Sequence, residues 1–307
     1  MSLSLLFLGT SGSVPTPQRG LPAILLQRKG EYLMFDCGEG VQRQMIIAKT
    51  SFHKKMKVFV SHMHGDHVLG LPGLMQTMSL LERTRELKVY GPPGIEPFLN
   101  AVKETVQFNL SFPVEIHEIE SNCTVCEEKD YSVEAAWSNH VIPNLSYALI
   151  EKPRPGRFHP QKARALGVPK GPLWSRLQHG RDVELAHGKT VKAEQVVGPS
   201  RPGRKIVYSG DTRPSKIVER LAAHADLLIH ESTFDDELAE KAEEDGHSTP
   251  SQAAETAKNA GVKKLYLTHI SARYVDPRIL LEQAVKTFSN TEVAQDFMKT
   301  EIPLLDA

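Results

Sequence analysis

Four side chains that commonly bind metal ions fall within six consecutive residues of this sequence. The segment His62–His67 reads His-Met-His-Gly-Asp-His and directly follows Val58–Val60, a short apolar run that is typical of a buried strand. A sharp loop at the end of a strand can direct alternating side chains toward two neighbouring points. Imidazole and carboxylate together suit Zn²⁺, and less specifically Mn²⁺ or iron. The segment therefore predicts a metal site with ligands for two neighbouring centres.

Further candidate ligands occupy the same kind of position, at or just after the end of a predicted strand. They are Asp36, His140, Asp211, His230, Glu231 and His269. The carboxyl ends of strands line one edge of an open α/β sheet, and ligands usually bind at that edge. We therefore expect these side chains to meet the His62–His67 segment at one place in the fold.

The elements that must position these residues are short strands that alternate with longer amphipathic segments. A helix is predicted from Pro250 to Ala260, because Thr249 and Gln252 have capping-box spacing and Gly261 favours a helix end. Apolar runs between polar segments are typical of strands buried on both faces, and the pattern indicates an α/β layered protein. The predicted strands are Leu5–Leu8, Ala23–Gln27, Tyr32–Phe35, Val58–Val60, Leu87–Tyr90, Ile206–Tyr208, Leu227–Ile229 and Leu265–Leu267.

Composition narrows the class of protein further. The chain has 307 residues, of which 40% are hydrophobic, and this excludes a disordered, collagen-like or coiled-coil description of the whole. Three cysteines make no disulfide framework and favour a reducing compartment, so we expect the cytoplasm. No apolar run approaches about 18 residues, and we therefore expect no membrane span. The first apolar stretch, Leu3 to Leu8, is too short for a signal peptide and is predicted as a strand.

Charge is distributed unevenly, although 37 basic residues balance 37 acidic residues overall. Residues 152–189 contain nine Lys and Arg but only Asp182 and Glu184 as acids, together with five Pro and five Gly. A segment of this kind is typical of an inserted arm, here predicted over 152–190. Its excess of positive charge favours binding to a polyanion, and a solvated loop with accidental charge is the alternative.

The candidate ligands also carry a resemblance. The His62–His67 motif, Asp211-Thr212, His140 and His269 resemble the metallo-β-lactamase superfamily. The resemblance covers essentially the whole chain, from Asp36 to His269. More narrowly, the chain resembles the short form of the ribonuclease Z family, which processes the 3′ ends of tRNA. The narrower resemblance is carried by Ser61–Gly70, His230–Thr233, His247–Thr249, Thr268–Tyr274 and the basic arm with Gly171-Pro172.

The resemblance implies a fold and a set of metal ligands. The fold would be a single four-layer αββα domain over residues 1–307 with a flexible basic arm inserted. One zinc ion would be held by His62, His64 and His140. A second zinc ion would be held by Asp66, His67 and His269. Asp211 would bridge the two ions, and Asp36 would orient a ligand imidazole from behind.

The resemblance also implies an activity. Zinc-activated hydroxide would attack the phosphodiester after the discriminator nucleotide of a precursor tRNA, leaving a 3′-hydroxyl on the tRNA and a 5′-phosphate on the trailer. Asp66 would hold or accept the proton of that hydroxide, and His247, supported by Glu231, would donate a proton to the leaving oxygen. The substrate would be contacted by Arg273, Arg19, Gly171 and Pro172, and the protein would form a homodimer.

Several alternatives stay open. The loop Pro15–Gly20 keeps Pro15 and Arg19 but lacks a Lys and an Asn that bacterial short forms often carry, which leaves the treatment of CCA-bearing tRNA undecided. A phosphodiesterase or sulfatase acting on a small ester would fit the same scaffold. An RNA-binding protein with a vestigial metal site is a further, non-catalytic alternative. The Cys123–Cys126 pair is interpreted as two thiols near a turn.

Overall fold

The computed structural model describes residues 3–186 and 188–304, so that His187 of the predicted arm lies outside the described residues. The strands are β1 Leu3–Gly9, β2 Ser11–Gly12, β3 Ala23–Arg28, β4 Glu31–Phe35, β5 Lys55–Phe59, β6 Leu87–Gly91, β7 Val114–Glu118, β8 Cys123–Glu127, β9 Tyr131–Ser138, β10 Asn144–Glu151, β11 Val183–Glu184, β12 Thr190–Val191, β13 Lys205–Tyr208, β14 Leu227–Glu231, β15 Leu265–Thr268, β16 Ile270–Ser271, β17 Thr291–Val293 and β18 Lys299–Glu301. The helices are α1 Val41–Ile47, α2 Gly65–Val68, α3 Gly70–Leu80, α4 Ile95–Val106, α5 Pro160–Ala165, α6 Pro172–Gln178, α7 Lys216–Leu221, α8 Ala239–Asp245, α9 Pro250–Asn259 and α10 Arg278–Val285. Two 3-10 turns cover Ala193–Gln195 and Asp236–Leu238. None of the described helices is long and apolar enough to cross a membrane.

Residues 3–150 and 205–303 form one compact unit, built on two seven-stranded sheets. The first sheet has the strand order β18-β1-β3-β4-β5-β6-β7, and the second has the order β17-β15-β14-β13-β10-β9-β8. The strands β4, β5, β6 and β7 run parallel to one another, as do β13, β14, β15 and β17. The carboxyl ends of neighbouring parallel strands consequently share an edge in each sheet.

Side-chain alternation along the strands builds three apolar cores. In β1, Leu5 and Phe7 face the core shared by both sheets, whereas Leu8 faces the helices that cover the first sheet. In β14, Leu227 and Ile229 face the shared core, whereas Leu228 packs under the helices of the second sheet. Because both faces of the sheets are covered, these strands are continuously apolar. The resulting order of layers is helix, sheet, sheet, helix, which confirms the predicted αββα sandwich.

All eight predicted strands are present, with ends that differ from the prediction by three residues at most. The helix predicted from Pro250 is α9, and its capping box forms between Thr249 and Gln252. The structure adds β7, β8, β9 and β10, which the sequence analysis did not predict. The first three of these contain half-exposed positions and alternate with polar side chains, so they lack the apolar run used as the signal.

Glu151–Arg204 forms the second compact unit, which is longer than the arm predicted over 152–190. The ends of this unit are joined by a buried ion pair, in which the Arg204 guanidinium donates to both carboxylate oxygens of Glu151 at 2.7 and 2.9 Å. The unit contains α5, α6 and the β11–β12 pair, and it has a small apolar core of its own. The buried members of that core are Ala163, Val168, Leu177, Val183, Val191, Ala193 and Val196. Twelve of its residues are Lys or Arg and four are Asp or Glu.

Candidate metal centre

The carboxyl ends of the parallel strands bring most of the predicted ligands together. In the first sheet, Phe35 of β4 lies opposite Phe59 of β5, so that Asp36 and the segment that begins at Ser61 leave the sheet side by side. In the second sheet, Glu231 is the last residue of β14, His269 directly follows β15, and Asp211 lies three residues after the end of β13. His140 lies in the connection between β9 and β10.

His62, His64 and His140 form the first cluster, and one nitrogen of each lies within 4.8 Å of the others. Nδ1 of His64 lies 3.0 Å from Nε2 of His62 and 3.3 Å from Nε2 of His140. The other nitrogen of His140 lies 2.7 Å from the carbonyl oxygen of Gly246, to which it donates when protonated. That bond leaves the lone pair of Nε2 directed at the cluster, which is the tautomer that a metal ligand needs.

Asp66, His67 and His269 form the second cluster, in which one ligand-type atom of each residue lies within 4.8 Å of the others. Nε2 of His67 lies 3.2 Å from Nε2 of His269, and Oδ2 of Asp66 lies 3.5 and 3.4 Å from these two nitrogens. Nδ1 of His269 lies 2.8 Å from Oγ1 of Thr233, on the side of the ring away from the cluster. Each imidazole therefore directs one nitrogen into the cluster while its other nitrogen has a fixed partner.

Asp211 lies between the two clusters. Its Oδ2 atom is 3.8 Å from Nε2 of His62, 3.4 Å from Nε2 of His67 and 3.2 Å from Nε2 of His269. Its Oδ1 atom is buried and has no hydrogen-bond partner among the described residues. Burial opposes ionisation of this carboxyl group, but the neighbouring His269 and His67 hold its pKa well below the usual value. A buried, ionised carboxylate with an unused oxygen, surrounded by convergent imidazole nitrogens, fits divalent metal ions on both sides.

Asp36 anchors the second cluster from behind. It accepts hydrogen bonds from the amide and hydroxyl groups of Ser61 at 2.6 and 2.8 Å, and from the hydroxyl group of Tyr208 at 2.6 Å. Its Oδ2 atom also lies 2.7 Å from Nδ1 of His67, which fixes that ring. Both Asp36 and His269 have a φ of 57°, in the left-handed region that costs a non-glycine residue about 1–3 kcal/mol. The backbone is thus strained at two residues of the site.

His247 and Glu231 form a pair next to the clusters. Nδ1 of His247 lies 3.0 Å from Oε1 of Glu231, and this oxygen also accepts from the amide groups of Ser248 and Thr212. Burial lowers the pKa of His247, but the Glu231 carboxylate outweighs that effect and raises it to about 9. The imidazolium form is accordingly favoured at neutral pH. Thr233 donates to Glu231 and lies within 3.2 Å of Nδ1 of His247.

A loop that was not predicted from the sequence packs against the second cluster. β2 pairs in parallel with β16, which places Gly12 beside the ring of His269. A Cβ atom on Gly12 would lie 2.5 Å from Nδ1 of His269, so no other residue fits here without movement. The amide group of Ser13 donates to Oδ2 of Asp66 at 2.7 Å. A short run of small residues, Thr10–Ser13, was the available signal, but nothing in its spacing pointed to a site.

Other predicted site residues lie apart from the clusters. Arg273 is exposed, and its guanidinium lies over the ring of Phe234 at 4.8 Å. The side chain of Arg19 is buried and donates to the hydroxyl group of Thr10 and the carbonyl group of Ala294, contacts that hold the 10–20 loop in place. His230 is buried with its Nδ1 near its neighbour's carbonyl oxygen, and it joins neither cluster. Gly171 and Pro172 begin α6 in the Glu151–Arg204 unit, each of them exposed.

Two family models match the chain. The model described as Anti-Pycsar protein Apyc1 matches residues 3–154, and the model described as a beta-lactamase superfamily domain matches residues 174–270. Among solved structures, human tRNase Z, short form, is 30% identical with a TM-score of 0.74, covering 98% of this chain and 99% of that one. These matches agree with the layered fold.

Full-length relatives give the family. The chain is 51% identical to a ribonuclease Z of Methanosarcina acetivorans over 302 residues, covering 98% of each protein. It is 47% identical to a ribonuclease Z of Haloferax volcanii over 309 residues, covering 100% of this chain and 97% of that protein. With this similarity over nearly its whole length, the chain belongs to the ribonuclease Z family of metal-dependent endoribonucleases, which has the metallo-β-lactamase fold.

Proposed function

We propose that this protein is a zinc-dependent endoribonuclease that removes 3′ trailers from precursor tRNA. The observation that carries the proposal is the convergence of seven predicted ligand residues in two adjacent clusters, with Asp211 between them. Cleavage after the discriminator nucleotide, by attack of hydroxide on the phosphodiester, would leave a 3′-hydroxyl on the tRNA and a 5′-phosphate on the trailer. The relatives named above support RNA as the substrate.

The two clusters suit one zinc ion each. His62, His64 and His140 would hold the first ion, Asp66, His67 and His269 would hold the second, and Asp211 would contact both. Bound zinc ions would lower the pKa of a water molecule and stabilise negative charge on the phosphate. The hydrogen bonds from Asp36, Thr233 and the Gly246 carbonyl would keep the ligand rings in their orientations.

Proton transfers are assigned to the carboxylate and imidazole groups around the clusters. Asp66 would hold or accept the proton of the attacking hydroxide. His247 would donate a proton to the leaving ribose oxygen, because Glu231 lies 3.0 Å from its Nδ1 atom and favours the imidazolium form. The buried position of Glu231, with four further donors on its two oxygens, keeps this pair in one orientation.

We assign binding of the tRNA phosphate backbone to the Glu151–Arg204 unit. Its twelve Lys and Arg against four acidic residues attract the phosphate backbone, whereas the remainder of the chain has more acidic than basic residues. Gly171 and Pro172 would contact RNA at the beginning of α6, and the side chain of Arg273 would contact a phosphate near the cut. For Arg19 we propose an indirect role, because its guanidinium is buried and bonded within the protein.

The assembly that we propose is a homodimer in the cytoplasm. Large apolar side chains are exposed near the carboxyl ends of α1 and α3, including Ile46, Leu80 and Leu81, and a second copy of the chain would cover them. All three cysteines are free thiols, in agreement with a reducing compartment. Sedimentation analysis should give twice the chain mass.

The experiment that tests the proposed function is cleavage of a precursor tRNA with a 3′ trailer, with added zinc and with a chelator. Chelator-sensitive release of a 5′-phosphorylated trailer, next to the discriminator nucleotide, is the expected result. A zinc-loaded protein that leaves the precursor intact would overturn the proposal and favour the small-ester phosphodiesterase or sulfatase. A protein that binds precursor tRNA but no metal would favour the non-catalytic alternative.

A further inference from the structure

We infer that Phe234 is a positioning residue, which holds the guanidinium group of Arg273 in place for a substrate phosphate. The inference rests on the proposed function, because it needs an RNA phosphate as the ligand of Arg273. It starts from three contacts of the Phe234 ring. The ring lies 4.8 Å from the guanidinium carbon of Arg273, 5.6 Å from Nζ of Lys241, and 5.9 Å from the imidazole centroid of His247.

The ring itself is held firmly. Phe234 is only 5% exposed, and it directly follows Thr233, whose hydroxyl group contacts the rings of His269 and His247. The next residue, Asp235, donates its amide hydrogen to the hydroxyl group of Tyr274 at 2.7 Å. The segment after β14 therefore contacts His269 and His247 through Thr233. Through Asp235 it contacts Tyr274, the residue next to Arg273.

Arg273 is oriented but not neutralised. Its Nε atom donates to Oγ of Ser271 at 3.2 Å, and no ion pair of its guanidinium group is found among the described residues. Stacking on an aromatic face fixes the plane of a guanidinium group while leaving its terminal N–H groups free to donate. A mobile, exposed arginine side chain loses conformational entropy when it binds a phosphate. Because the ring already restricts the Arg273 side chain, less entropy is lost on binding.

Lys241 and Arg273, the two cations that contact the ring, differ in whether their charge is already paired with an acidic residue. Lys241 forms an ion pair with Asp245 at 2.8 Å, on the same helix. Within the part of the chain that the structure describes, Arg273 has no such acidic partner, so its charge is available to an anion. The ring contacts both Arg273 and His247, so that one aromatic side chain links an exposed cation to the proposed proton donor. This arrangement favours Arg273 as a ligand for an RNA phosphate near the cut.

The test is a double-mutant cycle measured by steady-state cleavage of precursor tRNA. Phe234→Leu keeps an apolar side chain but removes the aromatic face, and we expect it to raise KM about tenfold with kcat changed less than twofold. Arg273→Ala should raise KM by about 10- to 100-fold with the same pattern. The double variant should be no worse than Arg273→Ala alone, because the ring acts through the guanidinium. Phe234→Tyr keeps the face and should restore the wild-type KM.

Controls separate positioning from packing. Phe288→Leu makes the same change at a partly buried ring that packs against the core under the second sheet, and it should leave KM unchanged. Zinc content and melting temperature are measured for each variant, so that a folding defect is recognised. Additive effects in the double variant, or a Phe234→Leu variant that lowers kcat with KM unchanged, would overturn the inference, since the ring would then act by packing or through His247. A wild-type protein that does not cleave precursor tRNA would overturn the proposed function, and this inference with it.

Discussion

The amide group of Ser13 donates a 2.7 Å hydrogen bond to Oδ2 of Asp66, across 53 residues of sequence. Ser13 has a φ of 59°, so its backbone is held in an unfavourable conformation to make this contact. The adjacent residue, Gly12, lies against the ring of His269. The loop after β1 is thus a backbone support for the second cluster, and it restricts both the carboxylate of Asp66 and the imidazole of His269.

Gly12→Ala should weaken metal binding without unfolding the protein. Its new Cβ atom would lie 2.5 Å from Nδ1 of His269, so that the ring or the loop must move. We expect zinc affinity to fall about 10- to 100-fold, as when a support of a ligand is lost. Competition with a chromophoric chelator measures this affinity. Gly73→Ala in α3 is a matched control, because its Cβ meets only the flexible end of Gln42, and a wild-type affinity in the Gly12 variant would refute the steric argument.

Glu231→Gln should lower kcat with zinc content preserved. The amide group keeps the size of the carboxylate but removes the charge that raises the pKa of His247, and one of its ends cannot accept the bonds that Glu231 accepts. General acid catalysis typically contributes about 10²- to 10⁴-fold, and we expect a loss in that range. Single-turnover cleavage of precursor tRNA is the measurement. An unchanged rate would remove the Glu231–His247 pair from the proposed mechanism.

Acid stability should depend on Asp130. Arg28 at 2.9 Å and the adjacent Lys29 hold the pKa of this carboxyl group at about 2, below its usual value. The ionised form therefore stabilises the folded protein above about pH 4, and this contribution is lost as the pH falls through 2. Because Asp130 is 38% exposed, Asp130→Asn should cost only about 0.5–1 kcal/mol. Urea unfolding at pH 7 and at low pH should show a difference that shrinks toward pH 2; a difference that grows in acid would contradict the sign.

The Glu151–Arg204 unit should control the salt dependence of tRNA binding. Lys162, Lys170 and Arg181 are exposed in this unit, and replacing all three by alanine removes three charges without touching its core. The slope of log affinity against log salt should become shallower by about 2–3. Fluorescence anisotropy with labelled tRNA measures the slope.

A matched control for that variant replaces Lys103, Lys258 and Lys286, three exposed lysines of the sheet unit. Its slope should stay close to that of the wild type. Equal losses in the two variants would mean that binding follows net charge and not the position of the basic unit.

The fold and the ligand clusters were predictable where local sequence carries the information. The strand Leu227–Glu231 is buried on both faces, and its apolar run Leu227–Ile229 made it recognisable. The chemically distinctive residues His230 and Glu231 come directly after that run. The strands β7 and β8 lie at sheet edges and consist mostly of half-buried and exposed positions, so they lack that apolar signal.

Other features depend on contacts between distant segments and could not be inferred locally. Gly12 lies against His269 only because β2 pairs with β16, about 260 residues later in the chain. The contacts of Thr233 with His269 and of Phe234 with Arg273 likewise join segments that are far apart in sequence. The sequence also predicted the basic character of the inserted unit but not its core. That core is made of single Val, Leu and Ala residues scattered among Pro, Gly and charged positions.

The pairing of β2 with β16 also determines when the site can be completed during synthesis. All three residues of the first cluster have been translated once His140 is made, whereas the second cluster requires His269 and the strand that follows it. A nascent or truncated chain that ends before that point contains the three residues of the first cluster but lacks residues of the second. The order of residues along the chain therefore makes translation through Ser271 a condition for a two-cluster site.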